Sequence, residues 1–186
     1  LGGHNYSLMP QHKLPLNPNM HERHPGLTAA LAAAYFEAAS VCLDRHHSPP
    51  KTFAVSNGHT STNAVATWTV TDARTRRAWA NESDATRDGA YGCALAAVDL
   101  AFKMVAVRRA ETLTGADYYI APPNASTEDL EDALRLEVSG VDRGNKATLA
   151  RRLRKKSAQA AAGRSNLPAM ACIVGFQAMI ILLESE

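Results

Sequence analysis

The stretch "ALRLEVSG", residues 133–140, alternates apolar and polar side chains, as expected of a β-strand with two unlike faces. Its leucines and valine fall on one face, whereas Arg135, Glu137 and Ser139 fall on the other. An apolar strand face is stable only when another element covers it. This stretch therefore predicts a sheet with helices packed against it.

Segments on both sides of this strand have equally clear patterns. Their predicted order is helix, strand, strand, strand, helix and strand, with Gly163 ending the second helix. In that order the segments are 81–102, 104–111, 116–122, 133–140, 144–163 and 169–176, and 169–176 forms one or two closing strands together with 177–184. We therefore predict an α/β or α+β fold with a central mixed sheet flanked by helices.

The part of the chain before residue 81 begins with a segment that has no apolar period and continues with a helix and short strands. Residues 1–26 are rich in His, Pro and Asn and keep no apolar period, which predicts an extended N-terminal arm. A helix is predicted for 27–45, and the whole of 27–186 suits one domain. Short strands of a hairpin or meander are predicted at 51–58, 64–72 and 76–81.

Composition indicates an ordinary globular protein. Hydrophobic residues make up 46% of the chain and charged residues 20%, and no unbroken run of about 20 apolar residues suggests a membrane span. The three cysteines form no CxxC pair and no signal peptide is recognisable, so we expect a cytoplasmic protein without a membrane partner. A net charge of +2 means that any polyanion must be attracted by local clusters of Lys and Arg.

Two acidic residues stand out because each lies in a strand among apolar neighbours. Asp117 begins the second arm of the predicted hairpin, and Glu137 lies on the polar face of the next strand. If these strands are neighbours, both carboxylates face one cleft, and two oxygen ligands with room for water suit Mg²⁺. The alternative is that each carboxylate is simply solvated on a half-exposed strand.

The order of elements and acids resembles the PD-(D/E)XK nuclease superfamily over about residues 84–183. The resemblance implies a restriction-endonuclease-like core, extended here by an N-terminal helix and hairpin, in which Asp117 and Glu137 bind Mg²⁺ or Mn²⁺. It also implies a further acid from the preceding helix, for which Asp84, Asp88 and Asp99 are candidates and Asp88 is the preferred one, while Glu111 at the end of the hairpin is another possible ligand. The chain departs from the family at Ser139, which replaces the lysine of the E-x-K tripeptide and cannot supply a positive charge.

Lys156 is a candidate replacement for that lysine. At about 100° per residue, it shares one helical stripe with Leu149 and Leu153, so it points inward with the apolar residues. The resemblance implies that a lysine relocated to this helix occupies the same space, with Gln159 beside the site. The alternative is that Lys156 covers apolar surface with its stem while its ammonium reaches water.

The same helix carries "RRLRKK" at 151–156, with five cations in six positions. Arg151, Arg152, Arg154 and Lys155 are candidate contacts to nucleic-acid phosphates, which would make binding depend on salt. A solvated basic helix face is the alternative explanation.

Together these features predict a metal-dependent nuclease-like domain that hydrolyses phosphodiester bonds, with DNA as the expected substrate. Asp117 and Glu137 would hold the metal, Lys156 would supply positive charge, and Ser139 and Gln159 would position water or phosphate. Two alternatives stay open at this point. One is a catalytically inactive domain of the same fold that binds nucleic acid or protein, and the other is a small-molecule-binding domain. A second copy of the chain is a further candidate partner.

Overall fold

The computed structural model describes residues 11–162 and 165–185, which form one mixed sheet with helices on its faces. The strands are β1 His12–Lys13, β2 Lys51–Ser56, β3 Ser61–Ala66, β4 Val105–Arg109, β5 Tyr118–Ala121, β6 Leu134–Val141, β7 Ala169–Gly175 and β8 Ile180–Ser185. The helices are α1 Ala29–Asp44, α2 Ala73–Ala78, α3 Glu82–Phe102 and α4 Lys146–Ala161, with a 3₁₀ turn at Met20–Glu22.

The sheet has eight strands in the order β1-β3-β2-β8-β7-β6-β5-β4. Strands β4, β5 and β6 are successive antiparallel neighbours, whereas β6 and β7 are parallel because α4 crosses between them. The hairpin β2–β3 extends the same sheet through a parallel pairing of β2 with β8. The predicted fold class and the predicted order from α3 to β7 are thus confirmed, while a restriction-endonuclease-like core stays a prediction.

Helices α3 and α4 lie on opposite faces of the sheet. Leu136 and Val138 belong to the core that α1 and α3 cover, while Leu149 of α4 packs against Gly175 from the other side. Helices α1, α3 and α4 each begin at a side-chain N-cap, which accepts a backbone N–H of the first turn. The alternation predicted for 133–140 therefore separates two differently covered faces.

The sheet is incomplete along one side of β6. Strand β5 pairs only with Leu134–Leu136, whereas β7 pairs with β6 from Arg135 to Val141. Within the described residues, the β5 side of β6 therefore has no strand partner beyond Leu136. This free edge lies between α3 on one face and α4 on the other, and it defines the position of the candidate site.

The strand predicted at 76–81 is wrong, and the strand predicted at 64–72 is correct only over 64–66, which belong to β3. Residues 67–72 have no regular structure and 73–78 form α2, where strands were predicted at 64–72 and 76–81. The Asp72 carboxylate caps α2 by accepting the Thr75 N–H at 2.7 Å, and Asp44 accepts the indole N–H of Trp68 at 2.6 Å. These side-chain bonds replace the strand ladder that the β-branched residues suggested.

The described part of the predicted N-terminal arm is packed against the domain. Strand β1 pairs with β3 at the sheet edge, and Leu14, Leu16 and Met20 are buried in the main core. Residues 1–10 of the arm and the predicted helix end at Gly163 lie outside the described residues. Among the helices of the described residues, none combines the length and the apolar composition that a membrane span requires.

Gly140 is a point of close approach between β6 and α3, and its substitution tests this packing. A Cβ at this position would lie 2.5 Å from the Thr86 carbonyl oxygen, so we expect Gly140→Ala to lower the free energy of unfolding by about 1–3 kcal/mol. Urea denaturation measures this decrease.

Gly92→Ala is the matched control, because its Cβ would meet its nearest neighbours at 3.3 Å and helix propensity favours alanine by up to about 1 kcal/mol. Equal stability of the two variants would contradict the close contact between α3 and β6.

Candidate active site

Asp117 is held at the point where β5 begins and the free edge of β6 starts. Its backbone N–H donates to the Leu136 carbonyl at 2.7 Å, and its carbonyl accepts the Ala110 N–H at 3.0 Å. Its carboxylate Oδ2 accepts the Val138 N–H at 2.8 Å. A backbone carbonyl of β5 would accept this N–H if the strand extended further toward its N-terminus. The carboxylate therefore has a fixed direction, toward the uncovered part of β6.

Tyr91 of α3 holds the other oxygen of this carboxylate. Its hydroxyl donates to Asp117 Oδ1 at 2.7 Å. Burial and the neighbouring Asp117 charge raise the pKa of Tyr91 to about 12, so the phenol keeps its proton at neutral pH. Each oxygen of Asp117 accepts one bond from these two donors and has a lone pair left for a further ligand.

Glu137 and Lys156 form an ion pair on the α4 side of the sheet. The Lys156 ammonium donates to Glu137 Oε1 at 2.6 Å, and only 21% and 15% of the Lys156 and Glu137 side chains are exposed. Helix α4 runs back along β6 after the crossover, which brings Lys156, in the second half of the helix, opposite the middle of the strand. The inward direction predicted for Lys156 is thus observed, and its ammonium contacts a carboxylate rather than extending freely into water.

The Glu137 carboxyl has an unfavourable environment for its charge. Burial raises its pKa above the ordinary 4.5 and the nearby Asp117 adds to the rise, although Lys156 opposes both. Because this folded-state pKa exceeds that of the unfolded chain, Glu137 favours folding below about pH 4.5 and that contribution disappears as the pH rises through the raised value. Asp117 is therefore close enough to Glu137 to affect the ionisation of the Glu137 carboxyl.

The remaining candidates, Ser139, Gln159 and Asp88, form no hydrogen bond or ion pair with Glu137 or Lys156 within the described residues. Ser139 is half-buried and lines a hollow of about 480 Å³ between the β6 edge and the start of α3. Gln159 is exposed, and its side chain makes no hydrogen bond within the described residues. Asp88 accepts from Arg87 Nε at 2.9 Å. Residues 11–162 and 165–185 contain no group of three or more His, Cys, Asp or Glu side chains placed to share a metal ion.

Most of the predicted phosphate contacts lie together beside the site. Arg151, Arg152 and Lys155 line a second hollow of about 490 Å³, together with Arg143 from the loop after β6. Arg154 is also exposed but does not line this hollow. None of the four predicted contacts on α4 forms an ion pair with another described residue. Their charges are available to an external anion.

The sequence interpretation missed Arg109. This last residue of β4 places its guanidinium carbon 4.4 Å from the centre of the Tyr91 ring and 4.7 Å from that of Tyr118. It also donates to the Tyr91 hydroxyl at 3.1 Å and lies 3.9 Å from Asp117 Oδ1. The only signal was the doublet of arginines at 108–109, because the tyrosines have the spacing of ordinary core residues.

The carboxylate pair fits a hard divalent cation by its chemistry. Mg²⁺ takes one or two carboxylates and completes its shell with water and phosphate oxygens, so two acidic ligands suffice. Comparison with family models, curated proteins and solved structures finds no significant match for this chain. The argument for function therefore depends on the site itself.

The influence of Asp117 and Lys156 on the pKa of Glu137 can be measured by NMR titration of the Glu137 carboxyl carbon. We expect a pKa above the ordinary 4.5, because burial disfavours the carboxylate. Asp117→Asn should lower this pKa by removing a negative neighbour, and Lys156→Gln should raise it by removing the ammonium.

Glu111→Gln is the control, since Glu111 pairs with Arg108 and does not contact this site. A Glu137 pKa that is the same in all three variants would show that the three groups do not form one electrostatic unit.

Proposed function

We propose that this domain is a metal-dependent nuclease-like hydrolase that acts on nucleic-acid phosphodiesters. The observation that supports it best is the ion pair of Glu137 with Lys156, formed beside Asp117 at the free edge of β6. The basic face of α4 lies next to this group, so a polyanion attracted there would have its backbone beside the carboxylates. The resemblance to the PD-(D/E)XK superfamily supports the same assignment through its order of elements.

Asp117 and Glu137 would hold Mg²⁺ or Mn²⁺ in this proposal. Asp117 has one lone pair left on each oxygen, and Glu137 uses Oε1 for Lys156 while Oε2 has no described partner. When bound, such an ion supplies Lewis acidity and lowers the pKa of its water.

The protein's own groups have separate tasks. Tyr91 and the Val138 N–H orient the Asp117 carboxylate through their hydrogen bonds. Lys156, held by Glu137, would stabilise negative charge that develops on the phosphoryl oxygens, as a preorganised cation does at little reorganisation cost. Ser139 would donate a hydrogen bond to substrate or water from the adjacent hollow.

A second candidate function is an inactive domain of this fold that binds nucleic acid. It is favoured by the charge balance, because Lys156 pairs with Glu137 and Arg109 lies beside Asp117. These two cations offset the two carboxylates without any metal. The two candidates differ in whether a divalent ion can compete for the carboxylates.

Cleavage of plasmid DNA in Mg²⁺ or Mn²⁺, with a chelator control, tests the enzymatic proposal. We expect Asp117→Asn, Glu137→Gln and Lys156→Gln each to reduce the rate by about 10² or more, as removal of a charged transition-state partner typically does. Glu111→Gln, a carboxylate change on the same hairpin, should cleave like the parent.

Metal affinity, measured by calorimetry with Mn²⁺, distinguishes the proposed metal ligands from Lys156. Asp117→Asn and Glu137→Gln should weaken binding, whereas Lys156→Gln should strengthen it because a competing cation is gone. Absence of cleavage by the parent with both metals would favour the inactive alternative.

The basic helix face predicts salt-dependent DNA binding, measured by fluorescence anisotropy at several salt concentrations in EDTA. Neutralising Arg151, Arg152 or Lys155 with glutamine should reduce the slope of log K against log salt by about 1 for each phosphate that is no longer neutralised. Lys51→Gln removes an exposed charge from β2 and serves as the control. Equal slopes in all variants would mean that α4 does not contact the backbone.

A further inference from the structure

Arg109 has the features of an anion-binding residue, because contacts within the fold occupy few of the hydrogen-bond donors of its guanidinium. Its side chain is 48% exposed, and within the described residues the only side-chain hydrogen bond of Arg109 goes to the Tyr91 hydroxyl. A guanidinium has five N–H donors, so most of them are unused by this contact. The 3.9 Å separation from Asp117 is too long for a direct hydrogen bond, and Tyr91 bonds to both groups.

Two aromatic rings fix the direction of this guanidinium. Tyr91 and Tyr118 hold its carbon 4.4 and 4.7 Å from their centres, and Tyr118 is anchored by a 2.6 Å hydrogen bond between its hydroxyl and that of Tyr35. Stacking of this kind orients the planar fork of an arginine and reduces the entropic cost of binding. A planar, oriented guanidinium suits the two oxygens of a phosphodiester.

The position of Arg109 complements that of the basic helix. Arg109 lies with Tyr91 on the α3 side of the sheet, whereas Lys156 and Arg152 approach from α4 on the other side. A nucleic-acid backbone that crosses the free edge of β6 would therefore meet positive charge on both sides of the carboxylate pair.

We propose that Arg109 binds a backbone phosphate of the nucleic acid on the face opposite α4, next to the phosphate that would lie at the metal held by Asp117 and Glu137. This inference rests on the proposed function for the identity of the ligand. It adds a phosphate contact on β4 that is separate from the basic helix and separate from the metal ligands.

The experiment measures binding of a duplex oligonucleotide by anisotropy in EDTA, where no metal-dependent cleavage occurs. We expect Arg109→Gln to weaken binding roughly tenfold and to reduce the salt slope by about 1, as removal of a charged hydrogen bond to phosphate does. Arg109→Lys should recover only part of the affinity, because lysine retains the charge without the planar fork.

Arg108→Gln is the matched control. Arg108 is equally exposed and adjacent, but it pairs with Glu111 at 2.8 Å next to Tyr119, away from the site. We expect its affinity to stay close to that of the parent. A decrease equal to that of Arg109→Gln would overturn the inference, since it would reflect general charge alone.

Tyr91→Phe tests whether Arg109 acts only by orienting Asp117. This variant removes the hydroxyl that bonds to both groups but keeps the ring under the guanidinium, so oligonucleotide affinity in EDTA should be preserved. Reduced cleavage with unchanged binding in both Tyr91→Phe and Arg109→Gln would overturn the phosphate contact. Binding of inorganic phosphate as tight as that of the oligonucleotide would also overturn it, in favour of a free phosphate ligand.

The outcomes separate this inference from the proposed activity. If Arg109→Gln weakens binding but the parent never cleaves DNA, the phosphate contact stands and the hydrolase proposal fails. If the parent cleaves DNA and Arg109→Gln binds normally, the hydrolase proposal stands and the phosphate contact fails.

Discussion

The hydrogen bond from the Val138 N–H to the Asp117 carboxylate lies where the sheet loses a strand. A strand edge exposes unpaired backbone groups, which are usually protected or used for binding. Here a side chain satisfies the first of them, and the neighbouring helices cover both faces of the edge. The same bond fixes the carboxylate, so the interruption of the sheet and the direction of the candidate ligand have a single cause.

The electrostatics of the site follow from this arrangement. Glu137 is half-buried beside Asp117, and such a pair is costly unless cations accompany it. Lys156 and Arg109 supply these cations from opposite faces, one as a compact ammonium and the other as a guanidinium oriented by aromatic rings. Binding of a divalent ion would add positive charge to the site, and binding of a phosphate would add negative charge. The two ligands would therefore change the charge balance of the site together.

The parts of the fold that were predictable are those with strong local patterns. The period-two alternation around Glu137 and the helical spacing of α3 and α4 predict their elements correctly. The strand predictions are wrong beyond residue 66 and at 76–81, because the bonds to Asp44 and the capping by Asp72 outweighed β-propensity, which is weak and depends on context. Arg135 shows a similar limit, since it lies on the predicted polar face yet is buried, donating to the Thr114 and Leu167 carbonyls.

For the site, spacing along the chain was enough to place Glu137 on a polar strand face and Lys156 on an inward helix stripe, because both depend only on the period of one element. Their contact depends on the crossover that lays α4 back along β6, and no local pattern encodes it. The period of a single element cannot predict the contacts of Arg109 and Tyr91 with Asp117. These two residues reach Asp117 from an edge strand and a separate helix, so their role arises from the packing of three elements and is visible only in the folded chain.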